Sequence, residues 1–329
     1  MMGLLELREK LRSIYGRYDM YIMPVIKFVF ALVTIVMINA NIGYMAMLNN
    51  IMVEVLLALI CALLPNVFTV LILAGVTIAN VYALSLEMAL ITAVLFVVMY
   101  LLYFKFTPKA SILVMVTVLM FMMKISCVVP VVAGLIYGVY AVVPVAFGVI
   151  LYYVINLCST YSTALTSASD TSSQQLSLIL DNIMGNEVLL ILLAFSVTIV
   201  IVGVIKNTSA DYAWIYAIIA GTLVDFVILL TGNVIFSTHL SIISIIIGSV
   251  LAAVVGYFMW VLIFSADYRR TERVRYEDDD YYYFVKAVPK ISVTTSEVKV
   301  KRINAQHSKR IPDNSSRTVK KSVEFDDEI

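Results

Sequence analysis

Basic residues almost vanish from the middle of this sequence. Between Lys27 and Arg269 only Lys105, Lys109, Lys124 and Lys206 interrupt a succession of Leu, Ile, Val, Ala, Phe, Tyr and Met. Apolar residues make up 62% of the 329 and mean hydropathy is +0.97, whereas a soluble domain carries roughly 45–50% apolar residues. A water-soluble fold has no interior large enough to hide that share, so the first partner of this chain is the lipid bilayer. The charge that exists is placed unevenly, with 14 of the 23 Lys and Arg residues after residue 265.

Other absences narrow the chemistry. The three cysteines, Cys61, Cys127 and Cys158, lie in apolar stretches without metal-ligand spacing, and read as small buried hydrophobes. There is no G-x-x-x-x-G-K-[ST] phosphate loop, so the chain does not drive itself with ATP. H-E-x-x-H, G-x-S-x-G and Cys/His clusters are also missing, which removes the main hydrolase chemistries. An enzyme is therefore not expected; a carboxylate-only intramembrane enzyme is the third-ranked reading. No cofactor or metal is expected, nor nucleic acid as a partner.

What is present is a series of membrane-length apolar runs. Segment 1–21 is basic (Arg8, Lys10, Arg12, Arg17) and precedes the run Ile22–Ala40. It has the outline of a signal peptide, yet the run is near full span length, Lys27 interrupts it and no small-x-small site follows, so it reads as a first membrane helix. Lys and Arg near span ends mark the cytoplasmic side. The termini, the Lys105–Lys109 loop and the loop starting at Lys206 are basic and read as inside; Asn41–Asn50, Ser159–Asn186 and Gly232–Ser241 lack Lys and Arg and read as outside. An odd number of crossings must join Asn50 to Lys105, and again Lys109 to Ser159, and each interval suits three short helices. The expectation is an all-α polytopic bundle of about ten spans, some short or broken, at about 22–40, 51–64, 67–83, 85–104, 110–125, 127–140, 142–158, 187–205, 212–231 and 242–264. Six- or eight-span alternatives turn some short pieces into re-entrant segments. The two triplets share a look, an apolar piece with Pro65 or Pro130 and then aromatic ends, and would be inverted relative to each other, as in transporters of alternating access.

Several residues stand out within these runs. Asp225 is the one ionisable residue well inside a long span, where a carboxylate costs roughly 2.5–3.5 kcal/mol on insertion scales. With Thr222 one turn before it, and with Glu54, Glu87 and Lys124 near the outer helix ends, it outlines a candidate polar path; snorkelling to the interface is the plainer role for those three, and a structural hydrogen bond or ion pair for Asp225. Small residues recur every fourth position at Ser244, Gly248, Ala252 and Gly256, and at Gly134 and Gly138, which permits close helix approach within the chain or between copies. His239 and the amides Asn41, Asn49, Asn50 and Asn233 read as solvated loop residues. In the outer loop 159–186, Leu176, Ile179, Leu180 and Ile183 fit a short amphipathic surface helix.

The segment 265–303 reads differently. Two β-prone stretches flank the acidic turn Glu277–Asp280 and predict a cytoplasmic hairpin whose Val274, Tyr276, Tyr283, Phe284 and Val285 offer apolar surface to a partner or a second copy. Residues 304–329 read as a disordered tail.

Four stretches carry a resemblance: Tyr15-Gly-x-Tyr-Asp-Met-Tyr21, Asn39-Ala-Asn-Ile-Gly-Tyr44, Asp211-Tyr-Ala-Trp214, and Arg270-Thr-Glu-x-Val-x-Tyr-Glu-Asp-Asp with Tyr281-Tyr-Tyr-Phe-Val-Lys-Ala-Val-Pro-Lys290. They resemble a family of multi-span proteins of anaerobic Gram-positive bacteria without an established activity, some loosely labelled permeases. The resemblance implies a bacterial plasma membrane and transfers no site residue. A permease-like protein is the leading expectation. A scaffold that recruits envelope-assembly or secretion partners through its tail is the alternative. Coupling to a separate ATPase would fall to the tail, because the inner loops are short.

Overall fold

The computed structural model describes residues 2–101, 110–160, 185–238, 240–263 and 272–287. Among them are ten α-helices: α1 Met2–Ile42, α2 Ile51–Leu63, α3 Asn66–Leu84, α4 Leu86–Met99, α5 Ile112–Met122, α6 Val128–Tyr137, α7 Val142–Thr160, α8 Asn186–Lys206, α9 Ala213–Ile235 and α10 Ile242–Ile263. A hairpin of β1 Glu272–Glu277 and β2 Tyr282–Ala287 follows. Each expected helix overlaps an observed one. The Lys105–Lys109 loop, the stretch with Leu176, Ile179, Leu180 and Ile183, His239 and the tail 304–329 lie outside the described residues.

Two features differ from expectation. Helicity begins at Met2, ahead of the membrane run, and breaks at Tyr18 (φ −122°, ψ 22°), six residues before Pro24, whose ring nitrogen cannot bond the carbonyl of Met20. Length also separates the helices. Among the described residues six stretches are long and apolar enough to cross a membrane: Met20–Ile42, Asn66–Leu84, Val128–Thr160, Asn186–Lys206, Ala213–Ile235 and Ile242–Ile263. Helices α2, α4 and α5 are shorter, at 13, 14 and 11 residues. At 1.5 Å per residue, α5 extends only about 16 Å, roughly half a hydrocarbon core.

Side-chain contacts nevertheless fix how the helices run. Lys27 on α1 donates to the carbonyl of Leu64 at 3.1 Å, while Asn39 near the other end of α1 donates to Glu54, so α2 runs antiparallel to α1. Gly148 of α7 lies against Val114 and Thr117 of α5, and Tyr152 stacks on Phe121 one turn further along both, so α5 and α7 run in the same direction. Helix α6 runs against them. Its Gly134 meets Ile199 and Val202 of α8, the following Val139 meets Gly203, and Lys206 donates to the carbonyl of Leu135 at 2.9 Å. The stretch Val128–Thr160 is therefore two arms that fold back at Gly138, whose φ of +71° is a conformation favouring glycine. Gly138 makes a turn here, rather than continuing the packing row begun at Gly134.

The bundle is apolar inside and out. On α10, Ile245, Gly248, Ala252 and Gly256 form the buried stripe, while Ile243, Ile246, Ile247, Val250 and Phe258 are exposed. Such a surface is stable only in hydrocarbon. This is a membrane-embedded helical protein. The small-residue face turns inward: a Cβ on Gly248 would sit 2.8 Å from the Cys127 sulfur, and one on Gly256 would meet Ile218 and Val131. Packing within the chain thus uses the row, with Ile245 taking the buried place and Ser244 exposed beside it.

In the hairpin, Val274 pairs Val285, Arg275 pairs Phe284 and Tyr276 pairs Tyr283. Alternation splits the expected docking set, because Val274, Val285, Tyr276 and Tyr283 share one face and Phe284 belongs to the other. There Arg275 lies over the rings of Tyr282 and Phe284, at 4.8 and 5.5 Å from their centroids.

Candidate functional site

Helices α8 and α9 approach closely because glycine removes the side chains between them. Gly221 fits against Val202 and Gly232 against Leu190, two contacts that run the helices antiparallel and level Thr198 with Asp225. Asp225 is 1% exposed. Its Oδ1 accepts from the Thr198 hydroxyl at 3.4 Å, a long hydrogen bond, and its Oδ2 has no hydrogen-bond partner among the described residues. The Cys127 thiol, at the start of α6, faces the same carboxyl.

Cys127 also lines a cavity of about 250 Å³. Ser126, Ser241 and Ser244 give it hydroxyls, while Ile191, Phe195, Leu229, Leu240 and Ile245 make the rest of its wall. Leu229 is one turn from Asp225 on α9, and Ile191 and Phe195 lie on the α8 face that continues to Thr198. The cavity thus sits above the carboxyl, with the Cys127 thiol between them. No family model, curated protein or solved structure matches this chain. The chemistry must be read from its own residues.

Of the other path candidates, Thr222 is buried, but its hydroxyl donates to the carbonyls of Ile218 and Ile219 in its own helix. Lys124 ends α5. It takes the left-handed position (φ 61°) with its N–H on Phe121 and that of Ile125 on Met120, the backbone pattern that usually selects glycine, and its side chain is exposed. Glu87 begins α4 half-buried, with Oε2 enclosed and unpartnered among the described residues.

Glu54 belongs to a separate cluster. It is 7% exposed and accepts from Asn39 Nδ2 at 2.7 Å; Asn39 also donates to the carbonyl of Leu48 and accepts from Asn80 at 2.9 Å. The Met45 N–H donates to Asn80 Oδ1. This network joins α1, α2 and α3 to the 43–50 turn and is separate from Asp225, whose hydrogen-bond partner Thr198 belongs to α8. Asn50 caps α2 by accepting from the Met52 N–H, and Asn233 donates to the carbonyl of Leu240, so neither is simply solvated. Thr198, Ser126 and Cys127 carry no local motif; only the fold brings Thr198 and Cys127 to Asp225, and Ser126 to the cavity beside them.

A second polar pair, half-buried, stands at the other side of Phe195. The Tyr153 hydroxyl donates to Glu187 Oε1 at 2.7 Å, beside the ring cluster of Phe121, Tyr152 and Tyr153. Phe121 packs in turn on Phe195, 5.7 Å between centroids, which joins the cluster to the cavity wall.

Proposed function

We propose that this chain is a permease-like protein of a bacterial plasma membrane, in which a solute enters the serine-lined cavity and passes Asp225. The observation that carries this reading is the unpartnered Asp225 Oδ2 behind the cavity floor. A carboxyl is retained in a membrane interior against a cost of several kcal/mol chiefly where it serves a pathway or a proton relay. The opposed directions of α1 and α2, of α5 and α6, and of α8 and α9 support ten passes with both termini cytoplasmic, the short α2, α4, α5 and α6 being broken elements of the kind that line polar routes. Cysteine accessibility tests the route. Ser244→Cys reacts with an impermeant maleimide from outside, and Thr222→Cys, one turn beyond Asp225, reacts from the cytoplasmic side. A Thr222→Cys that is inert from both sides refutes a through path.

A scaffold reading has one observation in its favour. Val274, Tyr276, Tyr283 and Val285 form a continuous cross-strand face, of which Tyr276 is 58% exposed, on a two-stranded sheet that is marginal alone in water. Capture of a partner by full-length protein, abolished by Tyr276→Ser with Tyr283→Ser, supports that reading against transport.

A further inference from the structure

We infer that the cavity beside Cys127 binds a small organic ammonium ion, with the Asp225 carboxylate as counter-charge and Phe195 beside the apolar part of the ligand. The inference deepens the permease reading and rests on it for the role of the cavity.

Three features fix the sign of the ligand. The wall holds hydroxyls, a thiol and an aromatic ring, and no Lys or Arg is among its lining residues. The acid behind it is 1% exposed and has one oxygen free of partners among the described residues. The start of α6, which would otherwise attract an anion, is already tied off. The N–H groups of Val128 and Val129 donate to the carbonyls of Ile125 and Ser126, and Pro130 has none to offer. Lys124, two residues before Ser126, has its side chain at the surface.

Size and polarity separate an organic cation from an inorganic one. About 250 Å³ holds roughly eight waters at 30 Å³ each, enough for an amine with a short alkyl or a benzyl group. A hard metal ion needs roughly six or more oxygens converging on one point, whereas five of the nine lining residues are Ile, Leu or Phe. An ammonium group on an apolar body meets both demands, since its charge pairs with Asp225 and its body replaces water against Phe195. Cys127 is the partition between cavity and carboxyl; its sulfur is seated against Gly248, where a Cβ would come within 2.8 Å of it, and the ammonium takes the place of the thiol beside Asp225 when the Cys127 side chain changes rotamer.

The test uses full-length protein in nanodiscs at neutral pH with three matched probes: benzylammonium, benzyl alcohol and benzoate. Benzylammonium is expected to bind about tenfold or more tighter than benzyl alcohol, with no benzoate binding, and to shield Ser244→Cys from maleimide. Asp225→Asn should reduce the preference to within about threefold. Equal binding of the alcohol or benzoate, displacement of benzylammonium by sodium ions at equal concentration, a preference that survives Asp225→Asn, or no amine binding at all overturns the inference. Should Asp225→Asn not fold, the probe series and the shielding experiment on the carboxylate-bearing chain still decide it. The two readings fail separately. Ammonium selectivity with Thr222→Cys inert from both sides leaves a binding pocket without a path, and a through path without ammonium selectivity leaves a permease for another solute.

Discussion

Replacing Asn39 by Leu tests whether the buried polar cluster of α1 to α3 holds the fold. The asparagine amide donates at 2.7 Å to Glu54 and at 2.8 Å to Leu48, and its oxygen accepts from Asn80 at 2.9 Å. Leucine removes all three. Asn80 retains its bond to the carbonyl of Val76, so its loss is partial, but Glu54, 7% exposed, is left without its asparagine donor. An average interhelical hydrogen bond in a membrane protein is worth only about 0.6 kcal/mol. Stranding a buried charge costs about 3–5 kcal/mol. With the buried Glu54 carboxyl stranded, Asn39→Leu should destabilise by about 3 kcal/mol, measured by equilibrium SDS unfolding in mixed micelles. Adding Glu54→Leu removes the stranded group, so the double variant should be more stable than Asn39→Leu alone. A loss within about 0.6 kcal/mol for the single variant, or a double variant whose loss equals the sum of the singles, refutes this account.

The helix positions were legible because membrane spans need only a run of apolar residues between basic or polar loops, and each such run became a helix. Lengths were less legible. The pieces between Asn50 and Ser159 end where local backbone chemistry ends them: Lys124 in a left-handed turn, Gly138 at φ +71°, and Leu64 and Pro65 between α2 and α3. By sequence Lys124 is an ion near a helix end, since nothing there reveals that a lysine takes a glycine-like position. The helical arm before Tyr18 is not legible because a basic segment ahead of a span carries the same orientation signal whether or not it is helical.

The site was legible at one residue. A single carboxylate in a long apolar run is conspicuous, so Asp225 stood out, but its neighbours Thr198 and Cys127 lie 27 and 98 positions away and belong to helices with no distinguishing pattern. Thr222 looked like the natural companion from helical spacing. Its hydroxyl has a nearer acceptor in the Ile218 carbonyl, as threonines inside helices commonly do. Glu54 shows the opposite failure. Near a helix end it read as a snorkelling charge, and only the folding of the 43–50 turn onto Asn39 and Asn80 encloses it.

In a background lacking native cysteines, Phe121→Cys should crosslink to Tyr152→Cys; preferential bridging of Val114→Cys to Tyr152→Cys would mean that α5 and α7 run oppositely. Reporter fusions at Asn49, Ser167 and Gly232 should be external and those at Thr107, Asn207 and Gln306 cytoplasmic, and an external Gln306 would overturn the even number of crossings. Lys206→Met should cost about 0.5–1.5 kcal/mol in the same micelle titration, by uncapping the end of α6 at Leu135. For Asp225 the structure separates stability from function. The carboxyl accepts one long hydrogen bond from Thr198 at 3.4 Å and a weak one from the Cys127 thiol, and leaves Oδ2 unpartnered among the described residues, so it contributes little to folding for what it costs to bury. Asp225→Asn should therefore change stability by less than about 1 kcal/mol, and Asp225→Leu should be no worse, since an apolar side chain ends the burial of an unpaired polar oxygen. Both should reduce the preference of the cavity for an ammonium probe to within about threefold. If Asp225→Asn instead prevents the protein from accumulating in the membrane, the carboxylate is a structural partner, and the route past it loses the residue on which it was built.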